Sequence, residues 1–328
     1  MRRAIAALLF CAGAVSAHAA DLKARVDALL AKASALEAVE VHPEARLAAR
    51  RALVALAGRA APYLLAHLPT VQTHELIEIL AVLKAVGAPA LPALAPLIAS
   101  PDETTRRQAV LIFSNIHVPS QRAAILKLLD DPSRPIRAQA TLACANQGDA
   151  WAVAPLVAVL LRPNEEREVL IGAARGMRYL ALKVAGPMPG ACERLTDLLD
   201  HPYYGVREGA MVALIEQGPR ALPALCDAIS RMERRGPSPA LASAALALGT
   251  ILGEHAAARN GAARARYDAL LASPDANVRA PAVEALASWG PEGRTRALAI
   301  LHGEPDPAVR QKIMRLAQVR PPGRPATL

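Results

Sequence analysis

From residue 43 onward the chain alternates apolar runs with short polar breaks. Ala138, Thr141 and Leu142, then Leu156, Val159 and Leu160, recur at steps of three and four residues, the spacing of one helix face. The breaks themselves repeat. Residues 128–161 read LLDDPSRPIRAQATLACANQGDAWAVAPLVAVLL, and residues 198–229 read LLDHPYYGVREGAMVALIEQGPRALPALCDAI. Each passes from Leu-Leu-Asp through a Pro-containing turn to an aliphatic-Arg pair, an Ala-rich run, a Gly, a Pro and a second apolar run. Self-similarity of this kind is the signature of a repeat architecture.

Three landmarks carry the repeat. The aliphatic-Arg pair occurs at Ile136-Arg137, Val206-Arg207, Val278-Arg279 and Val309-Arg310, with a looser copy at Arg106. The intervals between these arginines are 31, 70, 72 and 31 residues, so each long gap spans two repeats, one of which lacks its Arg. A Gly follows the first apolar run at Gly58, Gly87, Gly148, Gly218 and Gly290, and a Pro comes soon after at Pro62, Pro92, Pro155 and Pro223. Gly suits the left-handed residue that ends a helix. Pro suits the first turn of the next, where a missing N–H costs nothing. The spacing therefore predicts pairs of antiparallel helices joined by a Gly-to-Pro turn, with an Asp/Pro turn leading to the next pair. Asp131, Asp200, Asp275 and Asp306 are placed to cap the following helix. One such pair cannot bury both its faces, whereas a stack of them can. About nine units fit between residues 43 and 319, with residues 21–42 as an N-terminal capping helix and 320–328 as a disordered tail.

Composition agrees with an all-α fold. Hydrophobic residues make up 53% of the chain and aromatics only 3%, so Ala and Leu, both strong helix formers, must fill most buried space. Short alternating runs rich in β-branched and aromatic residues, which strands require, do not occur.

The pattern Asp-x-x-x-x-(Val/Ile)-Arg-x-x-Ala-x-x-Ala-Leu resembles the HEAT repeat, especially the short bacterial HEAT-like repeats also found in phycobilin lyases. It is best kept at 131–142, 200–214 and 275–286. The resemblance implies an α-solenoid of stacked helix pairs. It also implies a ladder in which Arg137, Arg207, Arg279 and Arg310 pair with Asp131, Asp200, Asp275 and Asp306 within or between units.

The first twenty residues, MRRAIAALLFCAGAVSAHAA, stand apart. Arg2 and Arg3, an apolar run from Ala4 to Val15 and a closing Ala17-His18-Ala19 have the three-part layout of a secretory signal. Residues 1–20 are expected to be a signal peptide cleaved after Ala19 or Ala20, leaving the mature chain periplasmic or secreted. The formal charge of the whole sequence is +9, from 38 Lys plus Arg against 29 Asp plus Glu. The excess lies mainly beyond residue 200, and export argues against nucleic acid as its partner. Cys144, Cys192 and Cys226 remain after cleavage. Each lies in an Ala/Leu-rich run and is expected to be a small buried side chain rather than half of a Cys192–Cys226 disulfide.

Little in the sequence speaks for chemistry. No Gly-x-Ser-x-Gly, phosphate-binding loop, dinucleotide fingerprint or His-Glu-x-x-His occurs. His-Glu appears once, at His74-Glu75, and one pair cannot hold the two irons of the deoxyhypusine hydroxylases that use this architecture. Neither a metal nor a cofactor is expected, and Arg264, Arg266 and Tyr267 are read as a solvated basic face. The group that stands out is His201-Pro202-Tyr203-Tyr204. Two adjacent Tyr in a turn of an aromatic-poor chain are hard to bury together, and Tyr is favoured at protein interfaces. His201, Tyr203 and Tyr204 are thus candidate partner-binding residues. The expected function is a non-enzymatic scaffold for a protein or peptide partner. A lyase-type enzyme on the same scaffold, or a structural envelope factor without a discrete ligand, are the alternatives.

Overall fold

The computed structural model describes residues 19–35, 43–259 and 261–318. The expected signal peptide, apart from its last two residues, and the expected tail lie outside them. Among the described residues the regular structure is helical throughout and contains no strand. Two compact units are formed, one up to Asn146 and one from Gln147.

In the first unit, α1 (19–34) is followed by α2 (Pro43–Ala55), the short α3 (Ala61–Leu65), α4 (Thr73–Val86), α5 (Leu91–Ile98), α6 (Glu103–Phe113), α7 (Arg122–Leu128) and α8 (Arg134–Asn146). The core of this unit is aliphatic: Val26 and Leu30 of α1 join Leu53, Leu64, Ile79, Leu83, Leu94 and Ile112 in one buried cluster. α1 thus turns an apolar face to that cluster.

In the second unit, α9 (Val153–Leu160), α10 (Arg167–Lys183), α11 (Ala191–Leu198), α12 (Tyr204–Gln217), α13 (Leu222–Glu233), α14 (Pro239–Glu254), α15 (Gly261–Leu271), α16 (Ala276–Ala285), α17 (Pro291–Leu301) and α18 (Pro307–Gln318) alternate between two layers. α10, α12, α14, α16 and α18 pack on one another in sequence, and of these α12, α16 and α18 open with the aliphatic-Arg pair, while α9, α11, α13 and α15 form the second row.

Consecutive helices pack most closely across the Pro-containing turns, as in α5–α6, α11–α12 and α17–α18. The Gly turn connects one hairpin to the next. The sequence had grouped the helices the other way, so the structural unit is out of phase with it by half a repeat. The Gly turns depart from the expected left-handed helical backbone: Gly218 and Gly290 have positive φ of 60° and 63° but ψ of −139° and −135°, a region strained for any side chain, and Gly58 is not among the positive-φ glycines.

Small residues set the distance between helices of the first row. A Cβ on Gly249 of α14 would lie 2.4 Å from the Tyr267 ring and 2.5 Å from Ala285 Cβ. Trp289 uses the same gap: its indole N–H donates to the Gly249 carbonyl at 2.8 Å, and its ring stacks on Tyr267 at 5.4 Å. Among the described residues no single helix is long and apolar enough to cross a membrane.

Candidate functional site

The Pro-containing turns share one geometry, which fixes where every landmark side chain goes. The residue before the Pro is Ser100, Asp131, His201, Ser273 or Glu304. In each case its side chain accepts the N–H of the residue two positions on: Asp102 to Ser100 at 3.2 Å, Ser133 to Asp131 at 2.8 Å, Tyr203 to His201 Nδ1 at 3.0 Å, Asp275 to Ser273 at 3.3 Å and Asp306 to Glu304 at 2.9 Å. These are side-chain-to-backbone turns that start the next helix.

The repeat Arg lies six residues after that position and closes the turn from the other side. Its Nη1 donates to the two carbonyls flanking the Pro nitrogen and the Pro itself. Arg106 holds Ser100 and Pro101, Arg137 holds Asp131 and Pro132, and Arg207 holds His201 and Pro202. Arg279 holds Ser273 and Pro274, and Arg310 holds Glu304 and Pro305. A guanidinium has five donors in a fixed fork, so this leaves the Nε/Nη2 edge for something else. At Arg106 and Arg279 that edge grips a carboxylate 25 residues ahead. Arg106 bonds Asp131 at 3.0 and 3.4 Å. Arg279 bonds Glu304 at 2.9 and 2.6 Å, with 9% and 1% of the two side chains exposed.

This corrects the expected ladder. Arg137 bonds the backbone carbonyl of Asp131, whose carboxylate is taken by Arg106. Asp200 pairs with Arg235 at 2.6 Å, and Arg207 turns to carbonyls instead. Asp275 accepts the Asn277 N–H at 2.8 Å, and Asp306 accepts Ala308 and Val309 at 2.9 and 3.0 Å. Both are helix caps, not partners of Arg279 and Arg310. The physical reason is register against the Pro. Asp131 precedes its Pro, Asp275 and Asp306 follow theirs, and Asp200 comes two positions before Pro202. Acids at different places in the turn face different groups. Glu304, missed from the sequence, was findable: it stands before a Pro, 25 residues after a repeat Arg.

The charge state of the buried pair follows from its bonds. The Arg279 guanidinium holds Glu304 below the ordinary carboxyl value of 4.5, against the opposing effect of burial.

The Tyr-Tyr turn is exposed. Tyr203 and Tyr204 are 42% and 65% accessible. The Arg167 guanidinium lies 4.6 Å from the centre of the Tyr203 ring, and that of Arg207 lies 5.8 Å from the centre of the Tyr204 ring, both within cation–π range. His201 is committed to the turn through Nδ1, so it supports the patch.

Other candidates are structural. Tyr267 is fully buried, with its hydroxyl donating to the Ala282 carbonyl at 2.6 Å, so it is not part of the expected solvated face with Arg264 and Arg266. Arg264 bonds Asp268, and Arg266 bonds Glu233 at 2.7 Å. Glu75 of the single His-Glu pair bonds His67 Nδ1 at 2.6 Å, and His67 Nε2 meets Asp27 of α1 at 3.1 Å. Burial of Asp27 is outweighed by hydrogen bonds from Lys23 and His67, and its carboxyl is held below the ordinary value. This trio ties α1 to the first unit and was not visible in the sequence. Glu78 is buried and receives Arg46 at 2.9 Å and Arg50 at 2.8 and 2.7 Å. None of the three described cysteines is in a disulfide; burial raises the Cys192 thiol to about 11, which makes it a poor nucleophile. No group of three or more His, Cys, Asp or Glu positioned for a metal ion occurs among the described residues.

Stacked helix hairpins, with capped Pro turns closed by Arg106, Arg137, Arg207, Arg279 and Arg310, define an α-solenoid of short helical repeats. A family model for HEAT repeats matches residues 91–178, and its start at Leu91 coincides with the first helix of the α5–α6 hairpin. Residues 91–178 thus carry HEAT repeats, and the described helices as a whole have the fold of a HEAT-like α-solenoid. A chain of the Kap95:Nup1 complex is similar in structure, with a TM-score of 0.56 and 13% identity, over 90% of this chain and 43% of that one. At that identity the likeness shows the fold alone, and this chain spans less than half the length of that relative. No curated protein matches it in sequence.

Proposed function

We propose that this HEAT-repeat protein is an exported, non-enzymatic scaffold that binds a protein or peptide partner. The observation that carries the reading is the exposed Tyr203–Tyr204 turn, flanked by Arg167 and Arg207, in a chain with only 3% aromatic residues. Tyr and Arg are the residue types enriched at interfaces. Tyr179 adds a third exposed ring, at 39%. A structural factor without a ligand has no need of such rings at the surface. The similar solved chain comes from a complex of two proteins, which is the same kind of use. Export rests on the leader-like residues 1–20.

The test is affinity capture with the mature chain from envelope extract, alongside a Tyr203→Ser/Tyr204→Ser variant. The reading expects a defined partner that the variant loses while its helical circular dichroism is unchanged. Equal capture by both chains would defeat it. Sequencing of the isolated protein tests export separately: the mature N-terminus is expected at Ala20 or Asp21, and a retained Met1 on cytosolic protein refutes it.

A further inference from the structure

The Arg207 turn differs from those of Arg106 and Arg279 on one point, and differs from that of Arg310, whose Nε/Nη2 edge is likewise without a carboxylate among the described residues, in the two exposed Tyr rings beside it. Arg106 and Arg279 each use Nη1 for two turn carbonyls and the Nε/Nη2 edge for a carboxylate. Arg207 uses Nη1 identically, at 2.9 Å to both His201 and Pro202. Its Nε/Nη2 edge has no carboxylate among the described residues. The sequence explains the difference. The next Pro turn reads Arg235-Gly236-Pro237-Ser238, so Gly236 stands where Asp131 and Glu304 stand in the other two. The neighbouring acids are accounted for. Asp200 is bonded to Arg235 at 2.6 Å and Glu168 to Arg167 at 3.2 Å. Glu208, next to Arg207 in α12, makes no ion pair with it among the described residues.

The parallel donors of an Arg edge match the two oxygens of a carboxylate, and at Arg106 and Arg279 that edge holds one. Beside it the Tyr204 ring is 65% exposed and Tyr203 is 42% exposed. We propose that the open edge of Arg207, together with the Tyr203 and Tyr204 rings, binds an Asp or Glu carboxylate in an acidic segment of a partner protein. This deepens the scaffold reading and rests on it. The carboxylate would sit as Glu304 sits on Arg279, and the rings would cover the adjoining apolar part of the segment.

The test uses the full mature chain, labelled with nitrogen-15, at low salt. Its probes are capped tetraglutamate, tetraglutamine and tetraphosphoserine. Amide shifts around 201–207 on adding tetraglutamate, and none with tetraglutamine, are expected. Arg207→Lys keeps the charge and loses the fork, and should weaken tetraglutamate at least about fivefold. Tyr204→Ser, at an exposed position, should weaken it about twofold or more and serves if Arg207→Lys misfolds. Arg315→Ala removes a distant exposed charge and should leave the affinity unchanged. The proposal is overturned if Arg207→Lys binds tetraglutamate as wild type does, if the shifts fall elsewhere, or if tetraphosphoserine binds about tenfold tighter than tetraglutamate. A captured partner that Arg207→Lys still retains, but Tyr203→Ser/Tyr204→Ser loses, also overturns this assignment while leaving the scaffold reading intact.

Discussion

Arg279 and Arg207 occupy the same place in two copies of one turn, yet they do different work. Both hold the carbonyls around a Pro. Arg279 goes on to bury a bidentate pair with Glu304, and Arg207 goes on to lie beside an exposed Tyr204 ring. One residue type at one position is thus a structural joint in the first case and an open donor in the second. What decides between them is the side chain before the next Pro.

The largest effect should come from breaking the closed joint. Glu304→Ala leaves the buried Arg279 without its carboxylate, and removing one partner of a buried pair costs about 3–5 kcal/mol. Glu304 also accepts the Asp306 N–H, so the start of α18 loses its turn. Because repeats lean on their neighbours, hydrogen exchange should rise across residues 276–318 and hardly at all in the first unit. A uniform rise along the chain would contradict the comparison.

The same pair predicts an acid response. Glu304 has a folded value below its ordinary 4.5, so the unfolded state binds its proton more tightly. The stability it contributes is fully present above 4.5 and is lost as pH falls through the lower folded value. Acid melting of wild type followed in the 276–318 peptides should therefore steepen below that point, and Glu304→Gln should flatten it. No such difference should be seen in peptides around 201–217.

Breaking the open joint should cost less. Arg207→Ala loses hydrogen bonds to two carbonyls and leaves no buried carboxylate unpaired, so a loss of about 1–2 kcal/mol is expected in urea unfolding. Arg234→Ala, an exposed Arg between α13 and α14, should change stability by less than about 0.5 kcal/mol. If Arg207→Ala costs as much as Glu304→Ala, the two turns are not different in kind.

Periodicity made the helices and the repeat readable before any coordinates, but not which neighbouring helices form the hairpin. Those features depend on local propensity and on apolar spacing, which are written along the chain. The turns were readable only in part. Matching Asp131, Asp200, Asp275 and Asp306 by residue type mixed three different positions relative to the Pro, and so assigned carboxylates to the wrong guanidiniums. Counting from the Pro instead puts Asp131 and Glu304 in one class, each 25 residues after its Arg. The Asp27–His67–Glu75 contact could not be read at all. It joins positions 40 and eight residues apart through tertiary packing, and no repeat marks it. Tyr267 failed for a similar reason. A Tyr between Arg264 and Arg266 resembles a basic surface until the gap at Gly249 shows where the ring goes.

The most direct test of the central claim is the hydrogen exchange of the arginine Nε–H groups, resolved by side-chain nitrogen-15 spectra of the full mature chain near neutral pH. The account predicts slow exchange at Arg279 and Arg106, whose Nε–H groups are locked on Glu304 and Asp131, and fast exchange at Arg207. An Arg207 Nε–H as protected as that of Arg279 would contradict it.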